Sequence, residues 1–395
     1  MRIAFLTTFV PWPPDSGTRI RNYQMLRFLA ARGEVHLVVV STGAEPTAAW
    51  PAGLKLAGMR VCDPGGEWAG RGGYLRARAA QQLHLRPCVY RPGLRRRVAD
   101  LLDELAPEVL IAYGTASAQY IDLERRRPGT RYLFDEAGAD HLRSERLLAV
   151  EQGTARRLKR GWELWRLRRY ERQVCTRADG LLAVVPSEEA YLRRWNREVS
   201  LVPCGANLDL IDFHYAGDDN RTLLFCGDLT YGPNEDAVAY FLADVFPAVA
   251  AKHPEVSFAV VGRYRGERLP GLAARFPQVH LAGYAEEMAP QWRRASIFVN
   301  PMRTGRGFIT KILDAFTAGL AVVSTDFLTA DLGIVPGRHF LSAANAGEFA
   351  AAVCALLERP ERKRELAREG RRFAEAHTWE AALAPLWQVV AGGKE

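Results

Sequence analysis

The chain has 395 residues, more than one hydrophobic core usually organises, with 48% apolar and 10% aromatic residues and a formal net charge of +8. No apolar run nears the ~20 residues that span a bilayer, and the apolar part of the opening MRIAFLTTFVPWPPD is too short for a signal peptide. Six scattered cysteines without a CxxC pair give neither a disulfide framework nor a zinc site, so two cytoplasmic domains with reduced, mostly buried thiols are expected.

The charge is uneven. Residues 1–200 carry 33 Lys+Arg against 22 Asp+Glu, or +11, and residues 201–395 carry 20 against 23, or −3. A basic first half suits an anionic lipid surface, an acidic acceptor or nucleic acid. Only six of the 53 cations are lysine, so the arginine richness is partly a habit of composition. No nucleic-acid module is recognisable, and no nucleic-acid partner is expected.

In chain order, residues 2–9 read as a strand, PWPPDSGT as a loop, 19–32 as an amphipathic helix and 34–40 as the next strand. This β-loop-α-β start predicts a doubly wound parallel sheet. Further strands are predicted at 109–113, 131–134, 180–185 and 199–202, with a helix over 154–177. That helix carries Arg156, Arg157, Lys159, Arg160, Arg166, Arg168, Arg169 and Arg172 beside Leu158, Trp162 and Trp165 at i, i+4, i+7. Buried between lobes, the Leu-Trp-Trp stripe would be core; a helix lying on a membrane has the same pattern, and the core reading is preferred.

Residues 203–220, rich in Pro, Gly, Asn and Asp, read as a linker. Strands then recur at 222–226, 256–261, 279–282, 296–300 and 320–324, alternating with helices at 234–253, 270–276, 288–295 and 310–318, and followed by helices at 346–357 and 360–377. The expected division is an acceptor-side domain over 1–203, a second domain over 204–376, and a C-terminal helix within 377–395 returning to the first. Two such α/β domains would face each other across a ligand cleft.

Residues 300–325, NPMRTGRGFITKILDAFTAGLAVVST, run from a strand through a glycine-bearing loop into a helix that starts at Thr310 and ends at Gly319. Glycines let backbone approach an anion, and N–H groups at a helix start point at it. Lys311 in the first turn opposes the helix dipole unless an anion lies nearby, and Asp314 one turn on is spaced to accept hydrogen bonds from a diol such as ribose.

This layout resembles the GT-B glycosyltransferases of family 4, and more narrowly the sugar transferases associated with bacterial exopolysaccharide and exosortase gene systems. The likeness rests on PWPPDSGTRIR after the first strand, PSEEA with Tyr191, FCGDLTYGPNEDAVAYFLADVFPAV at 225–249, VVGR at 260–263, HLAGYAEEM at 280–288 and KILDAFTAGLAVVST at 311–325. It implies two Rossmann-like domains, the second binding a nucleotide-sugar donor (UDP, GDP or TDP) and the first a small-molecule or lipid-linked acceptor hydroxyl. The implied reaction is retaining glycosyl transfer, EC 2.4, in polysaccharide, glycolipid or natural-product glycoside synthesis. No resident cofactor is expected.

By the same resemblance Asp314 takes the place of the glutamate that holds ribose, Tyr284 falls near the base, and the backbone of Gly17 faces the diphosphate. Two departures stand out. Relatives hold the diphosphate with an Arg and a Lys from the region that here reads Gly227 to Asn234, but this chain has Asp228, Tyr231 and Asn234. Arg263, Arg303, Arg306 and Lys311 are the replacements, Lys311 foremost. Arg306 also stands where the first carboxylate of a Glu-x7-Glu pair belongs, leaving sugar contacts to the backbone N–H groups of Gly307, Phe308 and Ile309, with Gly305 and Thr310 completing the expected donor-binding segment.

Transfer builds charge on the departing diphosphate, and no Asp-x-Asp tripeptide is present to hold a metal for it, so a helix start with Lys and Arg is the expected, metal-independent device. Among the proton acceptors Asp135, Glu136, Asp140 and His141 in FDEAGADHLRSE, Asp140 and then Asp135 are the candidates for the acceptor side; capping or pairing with Arg143 and Arg146 is the competing role. Three alternatives stay open. Gly305-Arg-Gly-Phe-Ile-Thr with Asp326 is a degenerate dinucleotide fingerprint of an NAD-dependent oxidoreductase, though it lacks the third glycine. A GT-B nucleotide-sugar epimerase and an inactive nucleotide-sugar-binding homologue complete the set. The basic first half allows a peripheral place at the inner face of a membrane.

Overall fold

The computed structural model describes residues 1–41, 51, 53–63, 70–136, 141, 144–145, 148, 153–304, 310–327 and 329–392. Two compact units divide the chain, one of Met1–Pro203 with Leu383–Glu395 and one of Cys204–Ala382.

The first unit contains β1 (Arg2–Thr7), α1 (Gly17–Ala30), β2 (Glu34–Val40), β3 (Gly58–Cys62), α2 (Gly70–Leu83), α3 (Pro92–Leu105), β4 (Val109–Tyr113), α4 (Gly114–Ala118), β5 (Arg131–Asp135), α5 (Thr154–Arg177), β6 (Gly180–Ala183), α6 (Pro186–Leu192) and β7 (Val199–Leu201). Its seven strands lie in the order β3-β2-β1-β4-β5-β6-β7, every neighbouring pair parallel. Strands covered on both faces need apolar side chains on both, which is why Ile3 to Leu6 and Leu37 to Val40 run without alternation and are fully buried. Ser16 caps α1 by accepting the Arg19 N–H at 3.5 Å, so Gly17 is the first helical residue rather than part of the preceding loop.

The second unit contains β8 (Thr222–Cys226), α7 (Gly232–Tyr240), α8 (Phe246–Lys252), β9 (Ser257–Val261), α9 (Arg268–Ala273), β10 (Val279–Gly283), α10 (Ala289–Arg294), β11 (Ile297–Asn300), α11 (Thr310–Ala318), β12 (Ala321–Ser324), β13 (Leu341–Ser342), α12 (Ala346–Glu358) and α13 (Pro360–Ala376). Six parallel strands follow the order β10-β9-β8-β11-β12-β13. The last helix, α14 (Trp379–Ala391), belongs to the first unit from Leu383 on, and within that unit its Val389 carbonyl accepts from Arg131 of β5 at 2.6 Å. Phe225, Phe241, Phe246, Phe258 and Phe349 are fully buried in one core of the second unit, and Phe298, Phe316 and Phe340 in another.

Three expectations change. The helix expected over 234–253 is two helices joined by a π turn, Phe241–Val245: Pro247 has no N–H to donate one turn back, and the winding widens ahead of it. Strands β3 and β13 are additional; β3 is largely open to solvent and β13 has two residues, so neither shows an apolar run. The stripe of α5 is not core: Leu158 is 75% exposed and Trp162 and Trp165 each 47%.

Candidate functional site

In the second sheet the strand order reverses between β8 and β11, and ligands of open parallel sheets bind beyond the carboxyl ends of the strands at such a reversal. Gly227 and Gly262 follow β8 and β9 there with φ of 151° and 150°, a region open to glycine alone. A Cβ on Gly262 would sit 1.8 Å from the Gly227 carbonyl oxygen, so the two turns meet backbone to backbone. Gly262 also donates its N–H to Gly283 at the end of β10 (2.8 Å).

Lys311 and Asn234 close against Gly227. A Cβ there would lie 2.9 Å from Asn234 Nδ2 and 3.0 Å from Lys311 Nζ. Lys311 Nζ donates to Asn234 Oδ1 at 2.8 Å and stands 4.4 Å from the centre of the Phe225 ring, while Asn234 Nδ2 donates to the Asp228 carbonyl at 2.9 Å. Burial pushes Lys311 down to about 8. Among the described residues no carboxylate pairs with it, and its direct polar contact is a neutral amide. The neighbouring Cys226 thiol is pushed up to about 12 by burial and stays protonated.

One turn further along α11, Asp314 Oδ1 accepts from Asn207 Nδ2 at 2.8 Å, and Asn207 Oδ1 accepts from Trp379 Nε1 at 2.8 Å. Burial raises Asp314 to about 6 against the opposing effect of the Asn207 bond. Asn207 carries no signal of its own in the sequence: it lies in the irregular stretch 203–220 that reads as a linker, with only chain proximity to Pro and Gly as a local cue. Tyr284 is 47% exposed just past β10, with the Arg263 guanidinium 5.0 Å from its ring centre. Arg303 instead pairs with Asp236 at 3.0 Å and lies over Tyr240, which leaves Lys311 the better placed of the two. Thr310 opens α11. Gly305, Arg306, Gly307, Phe308 and Ile309 lie outside the described residues, as does Asp140 in the first unit.

Asp135, at the end of β5, is fully buried and ion-paired with Arg21 of α1 at 3.1 Å, and Arg21 also donates to the Val202 carbonyl at 2.8 Å. Arg143 and Arg146, the other expected partners, lie outside the described residues, and a carboxylate so enclosed with Arg21 ties α1 to the sheet more readily than it meets an acceptor. Beside it, His141 Nδ1 approaches Glu171 Oε2 to 2.6 Å, its backbone N–H donates to Glu171 Oε1 at 3.2 Å, and its ring stacks on Tyr191 with centroids 4.2 Å apart. Glu136, His141 and Glu171 are all buried, with candidate metal-ligand atoms within 4.8 Å of one another. The His141–Glu171 side-chain contact is shorter than two ligands of one ion allow, so the three groups as placed are a tight polar cluster and not a metal-ligand set.

Two family models match the chain: a glycosyl transferase 4-like domain over residues 16–205 and a glycosyl transferases group 1 domain over 220–359. Together with the two parallel-sheet units, these matches show that the chain belongs to the GT-B glycosyltransferases. It is similar to a phosphatidyl-myo-inositol mannosyltransferase of Mycobacterium tuberculosis, 29% identical over 150 residues, 34% of this chain and 38% of the relative, so the match spans well under half of that protein's length. Its fold resembles sucrose-phosphate synthase from Thermosynechococcus elongatus (TM-score 0.74, 20% identity, all of both chains). It also resembles HepE of Anabaena, solved in complex with UDP and glucose (TM-score 0.69, 14% identity, 99% of this chain and all of the other).

Proposed function

We propose that the chain transfers a sugar from a nucleotide-diphosphate sugar to an acceptor hydroxyl, and that the carboxyl end of the second unit's sheet is the donor site. The observation that carries this is the unneutralised Lys311 held beneath Gly227, one helical turn before Asp314. In this reading Lys311 meets the diphosphate, where a leaving-group charge of two phosphates supplies the anion that the ammonium lacks in the free protein. Asp314, fixed by Asn207, accepts both hydroxyls of the ribose. Tyr284 and Arg263 flank the base, and the start of α11 at Thr310 directs backbone N–H groups at the donor.

Retention of configuration and independence from a metal belong to the same proposal, the latter because Lys311 and a helix start supply cationic stabilisation and the sequence has no Asp-x-Asp. Support for a nucleotide-sugar donor comes from HepE, whose solved complex holds UDP and glucose. The acceptor is a hydroxyl of a polysaccharide, glycolipid or natural product. Asp140 remains the proposed acceptor-side base, and Asp135 is reassigned to positioning α1 through Arg21. Thermal-shift and calorimetric titration with UDP, GDP and TDP and their sugars tests the reading: stabilisation by at least one, lost in Lys311→Ala and Asp314→Ala, is expected, and indifference to all of them refutes it.

A further inference from the structure

The first unit carries an apolar patch in the middle of a strongly basic surface. On α5, Leu158, Trp162 and Trp165 stand 75%, 47% and 47% exposed, and the two indoles stack with centroids 4.8 Å apart. On α2, Leu75 and Leu83 are 67% and 80% exposed. The two helices are joined by Gln82 of α2, whose Oε1 accepts from Arg166 at 2.7 Å and from Trp162 Nε1 at 3.4 Å. The patch is therefore a held shape.

Large side chains left in water in such a cluster mark a surface with a partner. The charge around it selects which. Helix α5 has nine Lys+Arg against two Glu, a net +7, and α2 has three Arg and no acid, a net +3. Arg156, Arg157, Lys159, Arg168 and Arg169 are exposed on α5 beside the apolar stripe. Tryptophan and leucine flanked by arginine match the boundary between lipid headgroups and acyl chains, where indoles settle and guanidinium groups reach phosphate. Two copies of this face would instead set like charges against each other.

We propose that the α2–α5 face docks on an anionic lipid bilayer, with Leu158, Trp162 and Trp165 entering the interface and the arginines on the headgroups. The inference goes beyond donor binding and does not depend on it. Within the described residues no helix is long and apolar enough to cross a membrane, so the docking is peripheral.

The test is cosedimentation of the full chain with unilamellar vesicles of phosphatidylcholine alone or with roughly one third phosphatidylglycerol. Binding to the anionic vesicles, absent or weak on the neutral ones, and a loss of about tenfold or more in partitioning for the Trp162→Ala/Trp165→Ala double variant are expected. Leu75→Glu on α2, a residue with no part in the proposed donor site, is expected to weaken partitioning as well, while both variants keep wild-type thermal stability and nucleotide-induced shifts. No binding to anionic vesicles overturns the proposal, and so does binding that survives both variants. A dimer in sedimentation velocity that the same variants dissolve, without vesicle binding, assigns the face to a second copy and overturns it too.

Discussion

Lys311 Nζ donates to Asn234 Oδ1 at 2.8 Å, under a glycine whose Cβ would approach both groups to 3.0 Å or less. The pair keeps an ammonium in a largely apolar site with an amide for company, an arrangement that costs stability and leaves charge ready for an anion.

Replacing Lys311 by methionine should therefore separate stability from binding. A lysine whose folded pKa is lowered to about 8 from 10.5 binds fewer protons folded than unfolded, so its penalty is fully present at pH 7 and is relieved as pH rises from about 8 to 10.5. Lys311→Met should raise unfolding free energy at pH 7 by on the order of 2 kcal/mol, less than the shift alone gives because Asn234 loses a donor. The gain should fade towards pH 10 in denaturant titrations. The same variant should weaken donor binding roughly 10- to 150-fold, the worth of a charge-assisted hydrogen bond.

Donor binding should also take up a proton. A diphosphate beside Lys311 favours the ammonium, so at pH 8.5, where a group of pKa about 8 is mostly neutral, binding should capture roughly three quarters of a proton per site. Calorimetry in buffers of different ionisation enthalpy measures it, and Lys311→Met should abolish it.

Asp314 carries the opposite signature. Its pKa, raised from 3.8 to about 6, means the folded chain holds this proton where the unfolded one releases it, so the group's contribution to stability is full below 3.8 and is lost as pH rises through 6. Ribose recognition needs the carboxylate, and donor affinity should fall by up to tenfold per pH unit below 6. Because the Asn207 bond lowers this pKa, Asn207→Ala should move the affinity midpoint to higher pH.

Arg21 and Asp135 form an enclosed pair, 3% and 0% exposed. Arg21→Ala takes the cation away from a buried carboxylate and should cost about 3–5 kcal/mol in stability, and Arg21→Met with Asp135→Asn should recover a large part of it. Gly262→Ala, with its Cβ driven into the Gly227 carbonyl, should be more damaging still to the second unit.

What could be read in the sequence was whatever is local. The helix 310–318 and the strands 109–113 and 222–226 have the expected bounds, because apolar runs and a terminal glycine encode them within a few residues. Lys311 and Asp314 follow from that helix and its position after β11. Asn207 was invisible because its partner is 107 residues away and its own segment has no period. The Gly227–Gly262 contact was hidden for the same reason. Leu158, Trp162 and Trp165 misled because spacing along a helix defines a face without saying what covers it.

The most direct test of the donor site is calorimetric titration of the wild-type chain and Asp314→Ala with UDP, GDP and TDP at pH 7.5. Saturable one-site binding of at least one nucleotide, weakened tenfold or more in Asp314→Ala while thermal unfolding stays cooperative, is the predicted result. Equal affinity in the two proteins would contradict the placement of ribose at Asp314, and no binding to any of the three would contradict the donor site itself.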